Sequence, residues 1–190
     1  MLDKSLPYYS IIMKRPGGAP IPDYPLPEGF SYVMYEPGDE LPWAEIETSV
    51  KEFDHVEDAL AYFKKRFMPY PDELARRCMF IEDRAGDKIA TLTTWWSYTG
   101  VRRDPWLHWI ALKPEYQGQG LGKALVSRGM QMMVEIEGDR DVYLSTQTWS
   151  YKAVGLYKKV GFEYTAEKGL GGYANDQYEK AVEVLEQYVR

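Results

Sequence analysis

Apolar positions along this chain follow two rhythms, alternating in short runs and helical in longer ones. Short runs rich in β-formers fall at residues 8–14, 31–35, 78–82, 88–96, 107–112, 142–146 and 162–165, and each reads as a strand. The third and fourth flank Asp83, Arg84, Ala85, Gly86 and Asp87, which predicts a hairpin with a loop of that length. Helical spacing links Leu121, Leu125, Met132 and Ile136, and again Ala153, Leu156, Tyr157 and Val160. It predicts helices over 121–136 and 151–160. Ser150 is placed to cap the second of these, Lys158 and Lys159 suit its negative end, and Gly161 supplies a left-handed stop. Tyr178, Val182, Leu185 and Val189 mark a C-terminal amphipathic helix, with Asp176 as its cap. Two further helices are expected around 42–52 and 56–67, the latter capped by Asp54, and a short one near 72–77.

The order is strands first, then strand–helix–strand–helix–strand. It predicts a mixed α/β fold, a sheet flanked by helices, in one domain over 1–190. Residues 16–29 hold five prolines and three glycines, too many for helix. Residues 1–30 are therefore expected to form an extended arm, ordered by Tyr24, Leu26 and Phe30 as apolar anchors over the sheet or an acceptor cleft. A terminal helix occupies 175–190.

Composition changes this picture mainly by exclusion. With 190 residues, 45% hydrophobic and 27% charged, the chain can bury one substantial core and is not expected to be disordered. No apolar run approaches the ~18 residues of a membrane span, and the early Asp3 and late Lys14 and Arg15 reverse the charge order of a secretory signal. The single cysteine, Cys78, forms no internal disulfide and reads as a small buried residue opening a strand. A cytoplasmic address is expected. Net charge is −6 with no basic block, which argues against nucleic acid, and no ligand spacing suggests a metal.

The candidate chemistry centres on Gln117, Gly118, Gln119, Gly120, Leu121 and Gly122, between a strand and a helix. A helix start carries unsatisfied N–H groups and partial positive charge, and glycines let a phosphate reach the backbone. A tight turn would use the same residues. Gln117 and Ala124 break the P-loop pattern, and Lys123 stands where a dinucleotide fingerprint needs glycine.

What remains resembles the GNAT acetyltransferase superfamily pattern Gln/Arg-x-x-Gly-x-Gly/Ala, met by Gln117, Gly120 and Gly122. The preceding Trp109-Ile110-Ala111-Leu112-Lys113-Pro114 is similar to that family's fourth strand. Further on, Leu144-Ser145-Thr146, Ala153 and Leu156-Tyr157-Lys158-Lys159-Val160-Gly161-Phe162 resemble its second motif, which ends Leu-Tyr-x-Lys-x-Gly-Phe. The resemblance covers residues 78–165. Ser150 departs from it, standing where the family often has Asn on the cofactor arm.

The resemblance implies a GNAT-like fold with splayed central parallel strands and acetyl-CoA as cosubstrate, without a metal. It implies acetyl transfer to a primary amine of a small molecule or peptide by direct attack on the thioester, and it leaves room for a homodimer. Ile110 and Leu112 would pair with the pantetheine arm as an added strand does. Residues 117–122 would hold the pyrophosphate, with Lys123 and Ser150 also at the cofactor. Lys113, Lys152 and Lys158 are outer candidates, with plain solvated lysines as the alternative. Tyr157 takes the family's proton-donor position at the thioester sulfur. His108, with an ordinary pKa near ~6.5, suits a general base, and strand alternation groups it with Ile110 and Leu112. Acceptors of this family bind between the N-terminal helices and the sheet. There Glu40, Glu45, Glu47, Glu52, Asp54, Glu57 and Asp58 offer an acidic rim or merely solvated faces, and Trp43, Trp95, Trp96 and Trp106 offer aromatic walls or core. Two other classes compete: a non-catalytic acyl-CoA-binding sensor and a protein-interaction domain.

Overall fold

In the computed structural model, which describes residues 2–189, the alternating runs become seven strands. These are β1 (Ser10–Arg15), β2 (Ser31–Met34), β3 (Cys78–Glu82), β4 (Lys88–Tyr98), β5 (Arg103–Leu112), β6 (Val142–Gln147) and β7 (Glu163–Tyr164). The helices are α1 (Glu40–Ser49), α2 (Val56–Arg66), α3 (Pro71–Arg77), α4 (Leu121–Glu137), α5 (Tyr151–Lys159) and α6 (Tyr178–Tyr188). The strands form one mixed sheet in the order β2-β3-β4-β5-β6-β1-β7. Among the described residues no helix is long and apolar enough to cross a membrane.

The chain divides into two compact units, one of residues 24–93 and 109–129, the other of 2–23, 94–108 and 130–189 among those described. In the first, β2, β3 and β4 form antiparallel pairs, with Tyr32 opposite Ile81 and Ile81 opposite Ala90. Cys78 opens β3 fully buried, as its small apolar side chain suggested. The loop at 83–87 is closed by the Asp83 carboxylate, which accepts from the amides of Ala85 and Asp87.

In the second unit β1 lies between β6 and β7, antiparallel to both, so Met13 faces Leu144 on one side and Tyr164 on the other. Successive side chains of β1 point to opposite faces. Ile11, Ile12 and Met13 are all buried, so both faces are covered there and leave no room for polar alternation. Gln177 fastens the start of β1: its Oε1 accepts from the Ser10 amide at 2.8 Å and the Ser10 hydroxyl at 3.0 Å. β6 runs parallel to β5, with Trp106 opposite Tyr143.

Several local expectations are corrected. β5 begins at Arg103 rather than 107 and contains Pro105; proline's φ suits a strand wherever its missing N–H is not needed for the ladder. α2 starts from an extended His55, not from Asp54, and no side chain caps it. Gln177, not Asp176, precedes α6, and its side chain serves β1 instead. Ser150 precedes α5 without a capping hydrogen bond, because the chain arrives through a 3-10 turn at Thr148–Ser150. Gly161, with φ of 93°, does supply the left-handed stop.

The Pro-rich segment is irregular, as expected, and each half is held within its own unit. In the second unit, the buried Arg15 donates to the Ala19 carbonyl and to Asp139 at 3.0 Å, and the Gly17 amide donates to Asp141 at 2.9 Å. In the first, the Lys123 ammonium lies 5.4 Å from the Tyr24 ring centre, and the Phe30 ring meets Tyr116 edge-on at 6.2 Å.

Within α4, Gly129 is buried, and a Cβ there would come within 2.6 Å of the Leu92 side chain. Alanine at 129 gains about 1 kcal/mol of helix propensity, but overpacking a closed core costs about 1–3 kcal/mol. Gly129→Ala is therefore expected to lower the melting temperature. A higher one would mean that Leu92 yields freely.

Candidate active site

The strand β5 ends in a tightly tied turn. The Lys113 amide donates to the Ile89 carbonyl at 2.9 Å, and Pro114–Tyr116 form one 3-10 turn. The Tyr116 hydroxyl donates to Asp83 at 2.7 Å, and this bond lowers the Asp83 pKa. Gln117 turns its amide back to the Leu112 carbonyl at 3.1 Å. From this anchored base Gly118 and Gly120 adopt φ of 84° and 88°, a region costly for other residues. A Cβ at either position would meet nothing within 4 Å, so the open space beside the backbone is available to a ligand. α4 then begins, with no acidic residue in its first turn and Lys123 half-buried there. An exposed glycine cradle at the start of a seventeen-residue helix is suited to an anion.

Upstream in β5, Trp109 has φ of 52°, a true outlier for so bulky a residue. A left-handed residue inside a strand acts as a bulge, so the side-chain alternation does not carry through it. The expected grouping of His108 with Ile110 and Leu112 on one face is corrected accordingly. His108 is half-buried, its ring 6.3 Å from the buried Trp106, within the second unit. Ile110 and Leu112 are half-buried in the first.

The kinked backbone carries the Trp109 indole into an aromatic cluster of the first unit. Its Nε1 donates to the Tyr62 hydroxyl at 3.2 Å. Its ring lies 4.9 Å from Tyr62, 5.1 Å from Phe53 and 5.6 Å from Trp43. Phe63 and Phe67 pack against Trp43 as a buried floor, whereas Phe53, Tyr62 and Trp109 are half-buried. Sequence reasoning missed Trp109, Tyr62 and Phe53 because no local pattern announces a bulge. Of the four tryptophans it proposed as walls, Trp43, Trp95 and Trp106 are fully buried and Trp96 half-buried.

Glu45, Glu52, Asp54, Glu57 and Asp58 are exposed, and His55 is exposed as well. Glu40 accepts from the Tyr35 hydroxyl and the Gly38 amide. Glu47 is different: it is 1% exposed. Burial, reinforced by the Glu52 carboxylate, holds its pKa well above the ordinary value.

In the second unit Tyr157 sits on α5, buried at 7% exposure. The buried residues of that helix and its stop are Val154, Tyr157 and Val160, while Ala153 and Leu156 are only half-buried. Of the positions read in the sequence, Tyr157 and Val160 thus face inward, and Val154 rather than Ala153 completes that face. The Tyr157 ring meets Phe162 edge-on at 6.3 Å, and its carbonyl accepts from the Phe162 amide. Ser150 is half-buried, and Lys152 and Lys158 are exposed. The same unit has a polar cavity of about 410 Å³ lined by Arg102, Asp104, Arg140, Asp141 and Tyr143. It lies at the starts of β5 and β6.

The sequence profile of the Acetyltransferase (GNAT) family matches residues 40–162, which contain both the glycine loop and Tyr157. The chain belongs to that family. Mycothiol acetyltransferase from Salinispora tropica is 31% identical over 157 residues, 79% of this chain and 50% of that protein. Spermine/spermidine N(1)-acetyltransferase from Bacillus subtilis is 31% identical over 67 residues, 35% of this chain and 44% of that protein. The chain thus spans about half the length of these curated relatives, or less. A GCN5-related N-acetyltransferase structure from Sphaerobacter thermophilus superposes with a TM-score of 0.62 at 21% identity. It covers 82% of this chain and 48% of its own, a likeness of fold.

Because the glycine at 120 combines a left-handed backbone with an open flank, Gly120→Val should act on ligand approach and on the turn rather than on packing. The variant is expected to stay folded and, if acetyl-CoA is the ligand as the resemblance implies, to lose about tenfold or more in affinity for it by calorimetry. Wild-type affinity in a folded valine variant would place the cosubstrate elsewhere.

Proposed function

We propose that this GNAT family member is an acetyl-CoA-dependent N-acetyltransferase whose acceptor is a primary amine on a small molecule or peptide. The observation that carries the reading is the open glycine cradle at the start of α4, lying inside the stretch matched by the family profile. Gly118 and Gly120 would let the pyrophosphate approach the loop backbone, with Gln117, Gln119, Leu121 and Gly122 completing the turn. The half-buried Lys123 adds a cation close by. The β5 backbone at Ile110 and Leu112 would supply the edge along which the pantetheine amides pair, as the family resemblance implies. Names of relatives that include amine acetyltransferases support the reaction class.

Transfer needs a neutral amine to attack the thioester carbon. The new C–N bond forms, the C–S bond breaks, the nitrogen gives up a proton and the thiolate takes one. Tyr157 is the proton donor to the sulfur in this reading. Its burial and its family-matched position on α5 support the role. His108 is the candidate acceptor of the amine proton, with ordered water as the competing route.

Tyr157→Phe keeps the ring against Phe162 and removes one hydroxyl. Stability should change by only about 1 kcal/mol, and acetyl-CoA affinity should stay near wild type. The chemical step, read as thiol release with an amine panel, should slow about 10²-fold or more. The comparison needs an amine for which product release is not limiting. An undiminished chemical step would return Tyr157 to a packing role. Absence of thiol release by wild type with every amine, despite acetyl-CoA binding, would favour a sensor.

A further inference from the structure

Glu47 is the acidic group of the N-terminal helices that solvent does not explain. It lies one turn after Trp43 on α1, so both side chains leave the helix on the same face, and both are buried. Its Oε1 has no hydrogen-bond partner among the described residues. A buried carboxyl oxygen left without a donor is costly and calls for an explanation, an absent binding partner being one. Just beyond α1 the chain reverses sharply. Lys51 takes φ of 69°, and the Glu52 amide donates to the Glu47 carbonyl at 3.2 Å. This reversal returns Phe53 to the aromatic cluster, where its ring stacks on Trp109 and stands 6.1 Å from Trp43.

The cluster is closed on one side by buried rings and reaches the surface on the other through Phe53, Tyr62 and Trp109. Aromatic faces carry partial negative charge and attract cations, most strongly where water is thinned. A buried carboxyl one helical turn from Trp43, itself in ring contact with Phe53, Tyr62 and Trp109, answers one chemistry above others, an ammonium group on an apolar stem. The exposed carboxylates of Glu45, Glu52, Glu57 and Asp58 on and between the same two helices favour the same sign of charge at short range.

We propose that Glu47 and the cluster of Trp43, Phe53, Tyr62 and Trp109 form the subsite for the acceptor's cationic amine, its ammonium paired with the Glu47 carboxylate and its carbon chain against the half-buried rings. This rests on the acetyltransferase reading and narrows the acceptor to aliphatic amines without an anionic group near the reacting nitrogen. Besides the carboxylate of Glu52, Cys78 on β3 couples electrostatically to Glu47, and burial pushes that thiol up to about 12. When an ammonium binds, the protonated Glu47 gives its proton to water and the ion pair forms. Proton release therefore accompanies cation binding at any pH at which Glu47 is still protonated in the free protein.

The test is calorimetric titration of 1,5-diaminopentane, with 1,5-pentanediol as the neutral isostere, into the full chain in two buffers of different ionisation enthalpy. Wild type is expected to bind the diamine, ignore the diol and release a proton. Glu47→Gln should lose about tenfold or more in diamine affinity, together with the proton release. The Gln variant should also fold well. The folded protein retains a proton on Glu47 that the unfolded chain sheds above about 4.5, so wild-type stability falls as pH rises through that window. At pH 8 Gln should therefore melt no lower than wild type. Phe53→Ala, on the half-buried rim, should weaken the diamine several-fold and keep the proton release. Equal affinity in wild type and Gln, equal binding of the diol, or no binding of the diamine by wild type would each overturn the subsite. If wild type binds the diamine as expected but releases no thiol from acetyl-CoA, the acetyltransferase reading fails and the cation site stands.

Discussion

A tryptophan held with left-handed backbone in the middle of β5 is the constraint on which the candidate site depends. Such a conformation costs about 1–3 kcal/mol at a non-glycine residue and persists only when its surroundings over-determine it. Trp109 has those surroundings. It makes ring contacts with Trp43, Phe53 and Tyr62 and donates a hydrogen bond to the Tyr62 hydroxyl. Aromatic pairs contribute about 0.5–1.5 kcal/mol each beyond simple burial, enough together to offset the strain. The kink has two results. It points the indole into the cluster beside α1 and α2, and it resets the side-chain alternation before β5 runs on to the glycine loop.

The anion binding proposed for this chain has to be local. The net charge of −6 gives no general attraction for a phosphate-bearing cosubstrate. The start of α4 works against that background by leaving acidic residues out of its first turn and by opening the backbone at Gly118 and Gly120. The turn is braced rather than loose. Tyr116 holds Asp83 of the β3–β4 loop, and Gln117 folds back onto Leu112. A braced loop loses less freedom when a ligand arrives, which is how preorganisation favours binding.

The acidic residues of α1 and α2 show how far composition and position can mislead. Seven carboxylates look alike in the sequence, and most are solvated, as helix faces usually are. Glu47 is separated from them only by burial. Its helical spacing from Trp43 was visible, but which face of α1 turns inward depends on what α2 and β5 bring to it. Helix caps tell the same story. Asp54, Ser150 and Asp176 all have the right chemistry for capping, yet none precedes its helix with a capping bond. A 3-10 turn enters α5, and beside α6 the side chain of Gln177 is spent on β1.

The sequence by itself determined the strands and helices to within a few residues, the glycine turn, the left-handed stop at Gly161 and the inward placement of Tyr157. Each of these is written in hydrophobic period or in backbone freedom, which act over a few neighbouring residues. The tertiary structure alone decided that β1 lies between β6 and β7, since pairing partners far apart in the chain leave no local mark. It alone decided that Trp109 breaks the period of β5, because that strain is stable only against Phe53, Tyr62 and Trp43. Likewise it alone singled out Glu47, since desolvation belongs to a residue's surroundings and not to the residue.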